Sequence, residues 1–235
     1  MKLSVVMPCY NEKDTIERIV DAVLKADLPE NMQRELIIID DGSNDGSSDI
    51  IRKLADKHGN IRAVYHKRNS GKGAALRSGF KLISGDVVLI QDADLEYSPK
   101  DYRKLLAPVL ENKADVVIGS RFISGESRRV LLFWHSLGNK VLTLLTNISA
   151  NLNLSDIEVG YKVMKRSIAD KLTLKENKFG IEPELILKIA RLNCRIYEVG
   201  ISYNGRTYGE GKKIRWHDAI NALWVIFKYG YLRLK

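Results

Sequence analysis

Short apolar runs alternate with amphipathic segments along the first half of the chain. The apolar runs cover residues 3–7, 36–39, 61–65, 87–90 and 115–118, and those at 36–39 and 87–90 are typical of buried strands. Between them, helical periodicity predicts a helix that opens at Asp14 and helices over residues 48–57, 76–83 and 99–112. We expect Pro8 to end the first strand because it lacks a backbone donor. The alternation predicts an α/β fold with a doubly wound, mostly parallel sheet flanked by helices.

The fourth apolar run stops at two carboxylates, Asp92 and Asp94, that are one residue apart. In open α/β sheets, ligands bind beyond the carboxyl ends of the strands. Neighbouring carboxylates repel one another unless a cation neutralises them, and oxygen ligands suit Mg²⁺ or Mn²⁺. We therefore predict a divalent-metal site that holds a phosphorylated substrate; the alternative is a solvated acidic loop or a helix N-cap before Ser98-Pro99.

The pattern changes in the second half of the chain. Residues 130–151 carry apolar side chains at helical spacing, interrupted by polar residues such as Asn139 and Lys140. Such a helix either packs on the sheet, which is the commoner outcome, or lies in a membrane interface. A short strand within residues 156–165, a helix over 182–192, a strand over 195–199 and an aromatic-rich helix over 218–231 complete the prediction. No apolar run is long enough to predict a membrane-spanning helix.

Composition and charge narrow the class of protein. With 235 residues that are 45% hydrophobic, the chain can form one large α/β domain or two small ones. The net charge is +9, and residues 203–235 contribute +5 of it, from seven Lys or Arg against Glu210 and Asp218. Such charge favours nucleic acid, anionic lipid or a phosphorylated substrate, and nucleic acid is disfavoured because no recognised binding motif is present.

The chain start and the cysteines bear on location. Met1-Lys2 leads directly into the first predicted strand without a basic leader or a cleavage site, so we expect no secretory signal. Cys9 and Cys194 match no metal-binding or redox spacing, which favours reduced thiols in the cytosol. We expect a peripheral protein at the cytoplasmic face of a membrane.

Five short motifs, in order and spacing, resemble those of the inverting family 2 glycosyltransferases. They are Pro8-Cys9-Tyr10-Asn11-Glu12, Asp40-Asp41-Gly42-Ser43, Asn69-Ser70-Gly71-Lys72-Gly73, Asp92-Ala93-Asp94 and Gly119-Ser120-Arg121. The chain is most similar to the polyprenyl-phosphate sugar synthases, among them the dolichol-phosphate mannose synthases. The resemblance also covers residues 156–162 and 206–213.

This resemblance implies a GT-A fold, with a catalytic domain over residues 1–215, an amphipathic interface helix over 130–151 within it, and a C-terminal amphipathic helix over 216–235. It implies a nucleotide-sugar donor, GDP-mannose or UDP-glucose, and Mg²⁺ or Mn²⁺. The implied metal ligands are Asp92, Asp94 and Glu96, although Glu96 stands where mannose synthases usually have Gln.

The resemblance also assigns the remaining site residues. Donor-binding positions are Pro8, Tyr10, Glu12, Ile39, Asp41, Lys72, Asp92 and Ala93. Basic positions that contact phosphate are Arg121, Arg128, Arg129, Arg206 and Lys213. The implied catalytic residues are Asp94, Arg121 and Arg206.

The acceptor decides whether the reaction needs a base. A sugar hydroxyl must lose a proton to a nearby carboxylate, for which Asp156 and Glu158 are candidates. A polyprenyl phosphate is already anionic at neutral pH and needs only positioning and charge compensation. The basic segment near the C-terminus favours the phosphate acceptor; transfer to a hydroxyl in polysaccharide or glycan synthesis is the alternative.

Overall fold

The computed structural model of the protein describes residues 1–123, 129, 130, 132–207 and 216–232. Seven strands form one sheet in this part of the chain: β1 Lys2–Cys9, β2 Gln33–Asp40, β3 Ile61–Tyr65, β4 Val87–Ile90, β5 Val116–Ser120, β6 Lys162–Lys165 and β7 Ile196–Gly200. The helices are α1 Ile16–Lys25, α2 Ser47–Lys57, α3 Lys72–Phe80, α4 Tyr102–Leu110, α5 Phe133–Ala150, α6 Arg166–Ala169, α7 Ile181–Ala190 and α8 Trp216–Ile226. A 3₁₀ turn, Pro99–Asp101, precedes α4, and a π-helical turn, Phe227–Tyr231, continues α8.

The strand order is β3-β2-β1-β4-β6-β5-β7. Strand β6 runs antiparallel to both of its neighbours, and the other pairs are parallel. The predicted α/β class with a mostly parallel sheet is confirmed. Because β1, β2, β4 and β5 point the same way, the loops that follow them meet at one edge of the sheet, where ligands bind in such folds.

The central strands form the core. All side chains of β4 and residues 35–40 of β2 are buried, in agreement with their uninterrupted apolar runs. Helix α1 buries Ile16, Ile19, Val20 and Val23 on one stripe. Burial of both faces of the sheet fixes the strand ends, and with them the positions of the residues at the edge.

The prediction that Pro8 ends the first strand is wrong. Strand β1 continues to Cys9, and Pro8 stands opposite Ile39 of β2. The carbonyl of Val6 accepts from Gln91 on the β4 side, and alternation turns the Pro8 nitrogen to that same side. Strand β4 has already ended at Ile90, so the missing donor of Pro8 costs no ladder bond.

Helix α3 begins four residues earlier than the apolar pattern predicts. The first backbone N–H groups of this helix are bonded by distant partners, because the Asn177 carbonyl accepts from Gly73 at 2.8 Å and from Ala74 at 3.2 Å. These tertiary contacts stabilise an extra turn that local periodicity does not reveal. The extra turn brings Lys72 to the edge of the sheet.

Helix α5 packs on α7 and α8 and buries only Leu142, Thr143 and Thr146. Much of its apolar stripe is exposed, including Phe133 at 68% and Trp134 at 76%. Helix α8 and its π-helical continuation likewise expose Ile220, Leu223, Trp224, Phe227 and Tyr231. Core packing therefore accounts for only part of the 130–151 pattern. Among the described helices, none has the length and hydropathy needed to cross a bilayer.

Candidate functional site

A cavity of about 380 Å³ opens at the carboxyl edge of the sheet. Ten of the predicted site residues line it: Pro8, Tyr10, Glu12, Asp41, Lys72, Asp92, Ala93, Asp94, Glu96 and Arg121. The candidate base Glu158 lines it too, together with residues to which the sequence assigned no role in the site: Cys9, Asn69, Gly71, Ala75, Tyr97, Gly160, Lys178, Phe179, Glu182, Tyr203 and Asp218. The structure thus brings widely separated motifs to one concave site.

Asp41, which follows β2, holds the loop that leads into α3. Its carboxylate accepts from the backbone of Ser70 at 3.0 Å and of Gly71 at 2.6 Å, and it lies 2.6 Å from His66 Nδ1. Gly71 has a φ of +99°, and a side chain there would meet the Asn177 carbonyl. The buried Asp41 therefore shapes the wall of the cavity beside Lys72 as well as lining it.

Lys72 is the centre of a buried chain of charges. Its Nζ lies 2.7 Å from Asp92 Oδ1 and 2.8 Å from Glu182 Oε1. Glu182 also pairs with Lys162, a fully buried lysine that donates to the Val159 carbonyl at 2.6 Å. Despite burial, these carboxylates raise the pKa of Lys72, and the two lysines lower the pKa of Glu182. The network holds Asp92 in a fixed position at the end of β4.

Replacing Lys72 with methionine is expected to lower the free energy of unfolding by about 3–5 kcal/mol, because Asp92 and Glu182 lose a shared buried partner. Urea denaturation followed by circular dichroism measures the change. Lys25→Met is the matched control, since the Lys25–Asp21 pair is exposed, and we expect it to change stability by less than about 1 kcal/mol. Equal effects of the two substitutions would contradict the network.

The Arg206 guanidinium lies among three carboxylates of the cavity. Its Nη2 lies 3.2 Å from Glu12 Oε1 and 3.1 Å from Asp94 Oδ2, and its Nε donates to Glu96 Oε1 at 3.3 Å. The Arg206 backbone N–H also donates to Glu96, and the Tyr203 hydroxyl donates to the other oxygen of this carboxylate at 2.9 Å. The segment around Arg206 is therefore tied to the acids that follow β4.

The group of acids around Asp94 remains rich in negative charge. Burial, followed by the charges of Asp92 and Glu96, raises the pKa of Asp94 to about 7, and Arg206 opposes that rise. Carboxylate oxygens are the donors that Mg²⁺ and Mn²⁺ prefer, so the chemistry of this set fits the predicted cation. Among the residues that the structure describes, however, no three His, Cys, Asp or Glu side chains are grouped as metal ligands. Asp92 faces Lys72, and Asp94 and Glu96 face Arg206.

Arg121, at the end of β5, forms a bidentate ion pair with Asp156. Its Nε donates to Oδ2 at 2.7 Å and its Nη2 to Oδ1 at 2.8 Å. Asp156 is fully buried, does not line the cavity, and accepts a further bond from Asn139. Asp156 thus orients Arg121 and is poorly placed to act as a base.

The other predicted residues lie elsewhere. Ile39 is fully buried in the core and does not line the cavity. Arg129 donates from its backbone to the Tyr203 carbonyl at 3.0 Å and from its Nη1 to the Gly205 carbonyl at 3.1 Å, beside the segment that carries Arg206. Arg128 and Lys213 lie outside the described residues.

Sequence reasoning missed Glu182 and Lys162. Glu182 is an acidic residue in the first turn of α7, which alone is an ordinary helix-start signal. Lys162 begins the short strand β6 and resembles a surface lysine in the sequence. Their role depends on contacts in the folded chain. Glu182 pairs with Lys72, which is about a hundred residues away in the sequence, and Lys162 pairs with Glu182.

Comparison with known proteins agrees with this geometry. The profile of the family described as Glycosyl transferase family 2 matches residues 4–173. The dolichol-phosphate mannosyltransferase of Pyrococcus furiosus is 27% identical over 214 residues, which are 90% of this chain and 59% of that protein. The undecaprenyl-phosphate 4-deoxy-4-formamido-L-arabinose transferase of Proteus mirabilis is 27% identical over 212 residues, 90% of this chain and 62% of that protein. The chain thus spans about 60% of the length of these relatives.

Solved structures share the fold. Glucosyl-3-phosphoglycerate synthase from Mycobacterium tuberculosis, in complex with Mn²⁺, UDP and glucosyl-3-phosphoglycerate, superposes with a TM-score of 0.74 at 22% identity, covering 97% of this chain and 80% of that one. The same enzyme with Mn²⁺ and UDP-glucose gives 0.74 at 21% identity, covering 97% and 79%. At this identity the likeness establishes the GT-A-like fold alone.

Proposed function

Because this chain belongs to glycosyl transferase family 2, we propose that this glycosyltransferase moves a hexose, mannose or glucose, from a nucleotide sugar to a polyprenyl phosphate. The observation that carries the proposal is one cavity that joins Pro8, near the end of β1, and Asp41, after β2, to the acids after β4 and to Arg121 after β5. The two polyprenyl-phosphate transferases among the relatives support the acceptor class.

The order of strands along the sheet suggests how the donor lies. The nucleoside rests over β1 and β2 against Pro8, Tyr10 and Asp41, and the diphosphate reaches the acids after β4. UDP-glucose and GDP-mannose both fit this order. Asp92, Asp94 and Glu96 would hold the divalent cation, which when bound would supply Lewis-acid stabilisation of the departing diphosphate.

The chain's own cations have two tasks in this reaction. An oxygen of the acceptor phosphate attacks the anomeric carbon, the bond from that carbon to the diphosphate breaks, and the nucleoside diphosphate departs with the bonding electron pair. Arg206, which lies 3.1 Å from Asp94, and Arg121, held by Asp156, place positive charge around the point where these anions meet.

The two candidate bases differ in their position relative to the cavity. Asp156, the first candidate, is engaged by Arg121 and Asn139 and lies outside the cavity wall. A phosphate oxygen needs no base because it is ionised at neutral pH. The position of Asp156 therefore removes it as a base and leaves Glu158, which lines the cavity, as the candidate for a hydroxyl acceptor.

The exposed apolar side chains of α5, α8 and the following π-helical turn form what we call the lipid face: Phe133, Trp134, Leu137, Val141, Leu144, Ile148, Ile220, Leu223, Trp224, Phe227 and Tyr231. They repeat at helical spacing on two helices that pack together. We propose that this face rests in the interface of a membrane, at its cytoplasmic side, where the isoprenoid chain of the acceptor is dissolved. The net charge of +9 adds attraction to anionic lipid.

A donor screen tests the proposed function. Thermal shift with UDP-glucose, GDP-mannose and other nucleotide sugars, with and without Mn²⁺, is expected to show the largest rise in melting temperature for one donor in the presence of the metal. Incubation of that donor with a polyprenyl phosphate should yield the glycosylated lipid by mass spectrometry. Transfer only to a soluble sugar hydroxyl would contradict the acceptor, and no turnover with any acceptor would contradict the function.

A further inference from the structure

Three buried side-chain atoms of the described residues have no hydrogen-bond partner: Asn139 Oδ1, Thr146 Oγ1 and Glu158 Oε1. Of these residues, only Glu158 lines the cavity. A buried polar atom without a partner costs free energy, and folded proteins retain few of them. In a cavity wall, a bound ligand can supply the missing partner.

The cations near Glu158 are engaged by other carboxylates. Lys162 pairs with Glu182, and Arg121 forms its bidentate pair with Asp156. Burial, followed by the charge of Glu182, raises the pKa of Glu158 to about 7, although Lys162 and Arg121 oppose that rise. The surroundings of Glu158 thus offer little compensation for its charge and leave Oε1 available for a neutral hydroxyl.

The position of Glu158 along the sheet indicates which part of the donor it meets. The order β2-β1-β4-β6-β5 runs from the nucleoside residues, past the acids after β4, to the loop before β6 that carries Glu158. A nucleotide sugar is linear, with the diphosphate between the nucleoside and the sugar. With the diphosphate at Asp94, the sugar extends toward Glu158 and Arg121. Gly160 strengthens this placement, because a side chain at this position, two residues from Glu158, would collide with the Asp92 carboxylate.

We infer that Glu158 accepts or donates a hydrogen bond to a hydroxyl of the transferred sugar, and so helps to select the sugar of the donor. This inference rests on the proposed function. A site built to hydrogen-bond a substrate hydroxyl discriminates strongly against an analogue that lacks it, because the protein group is then left buried and unpaired. Glu158 is therefore a specificity-determining residue of the donor site.

The role differs from that of a general base. A base acts on the acceptor during transfer, so its loss would lower kcat and leave donor affinity unchanged. A sugar-binding residue contributes to the affinity for the nucleotide sugar and contributes nothing to the affinity for the nucleoside diphosphate. Comparison of these two ligands separates the possibilities.

The test is isothermal titration calorimetry of the wild type and Glu158→Gln, in the presence of Mn²⁺, with UDP, UDP-glucose, GDP and GDP-mannose. We expect the variant to bind the preferred nucleoside diphosphate as the wild type does, and to bind the corresponding nucleotide sugar about tenfold more weakly, because a neutral amide oxygen accepts a weaker hydrogen bond than a carboxylate does. The matched control is Thr146→Val, which removes another unpaired buried oxygen, away from the cavity, and should leave all four affinities unchanged.

Four results would overturn the inference. Unchanged affinity of Glu158→Gln for the nucleotide sugar, with a lower kcat, would assign the residue to the acceptor. Equal weakening of both ligands would assign it a structural role in the cavity. A wild type that neither binds nor transfers any nucleotide sugar of the set would contradict the proposed function together with the inference. A wild type that transfers sugar, with a variant that binds the nucleotide sugar normally, would contradict the inference alone.

Discussion

Replacing Asp94 with asparagine is expected to lower the rate of sugar transfer by roughly a thousandfold, the loss typical of removing one preorganised electrostatic contact to a leaving group. Asp94 lines the cavity and lies 3.1 Å from Arg206, which also pairs with Glu96. The amide keeps the shape of the side chain and loses the charge. Initial rates of transfer to polyprenyl phosphate at saturating Mn²⁺ measure the effect.

The same substitution should not destabilise the protein. The folded state raises the pKa of Asp94 from 3.8 to about 7, so an ionised Asp94 opposes folding. As pH rises from about 4 to about 7, the unfolded chain releases this proton while the folded chain keeps it, and this residue's contribution to stability falls with pH. Asp94→Asn removes that dependence, so its stability relative to the wild type should be higher at pH 8 than at pH 5 in urea denaturation.

Asp86→Asn is the matched control for Asp94. Asp86 stands at the other end of the same strand, where its carboxylate accepts from the backbone of Lys2 at 2.8 Å, far from the cavity acids in the sheet. We expect full activity from this variant and no difference in pH dependence. Retention of activity by Asp94→Asn in the presence of a chelator would contradict the role of Asp94 in binding a metal.

The sheet was predictable because its signals are local. An uninterrupted apolar run indicates a strand that is buried on both faces, and the run at residues 87–90 coincides with β4, whose side chains are all buried. The direction of the parallel strands then determines which loops meet, so acids after β4 and polar residues after β1 and β2 could be assigned to one edge. The antiparallel direction of β6 could not be read in this way, because four residues carry no signal of direction.

The electrostatic partners of the site were not predictable, since they join residues that are distant in sequence. Nothing local to Lys72 indicates Glu182, and nothing local to Arg206 indicates Glu12, which lies on the first loop of the fold. These pairs change the reading of the motif: Asp92 faces a lysine, whereas Asp94 and Glu96 share an arginine. A cation site predicted from the motif alone does not include Lys72 and Arg206, whose positive charges already compensate the carboxylates of the motif.

The amphipathic stripe of α5 left open the choice between core and membrane interface, because periodicity identifies an apolar face without identifying what covers it. The described fold leaves the lipid face uncovered, so removal of its largest side chains is a direct test. We expect Phe133→Ser with Trp134→Ser to weaken binding to vesicles that contain anionic lipid by about a hundredfold, since each aromatic side chain contributes roughly 1.5–3 kcal/mol when it is buried. Sedimentation with vesicles of phosphatidylcholine and phosphatidylglycerol measures the change. A higher salt concentration should weaken vesicle binding by the wild type and by the variant.

A double substitution of exposed aromatic residues elsewhere serves as the control. Tyr65 and Tyr197 lie on the edge strands β3 and β7 and are 40% and 44% exposed, so Tyr65→Ser with Tyr197→Ser removes a similar surface outside the lipid face. This variant should sediment with vesicles as the wild type does.

A second copy of the chain is the competing occupant of the lipid face. A wild-type dimer that the α5 substitutions convert to a monomer, with vesicle binding unchanged, would contradict the membrane assignment. If the assignment holds, the α5 variant should bind nucleotide sugar normally and lose transfer only to an acceptor embedded in a bilayer, because the catalytic cavity is intact and only its access to lipid is lost.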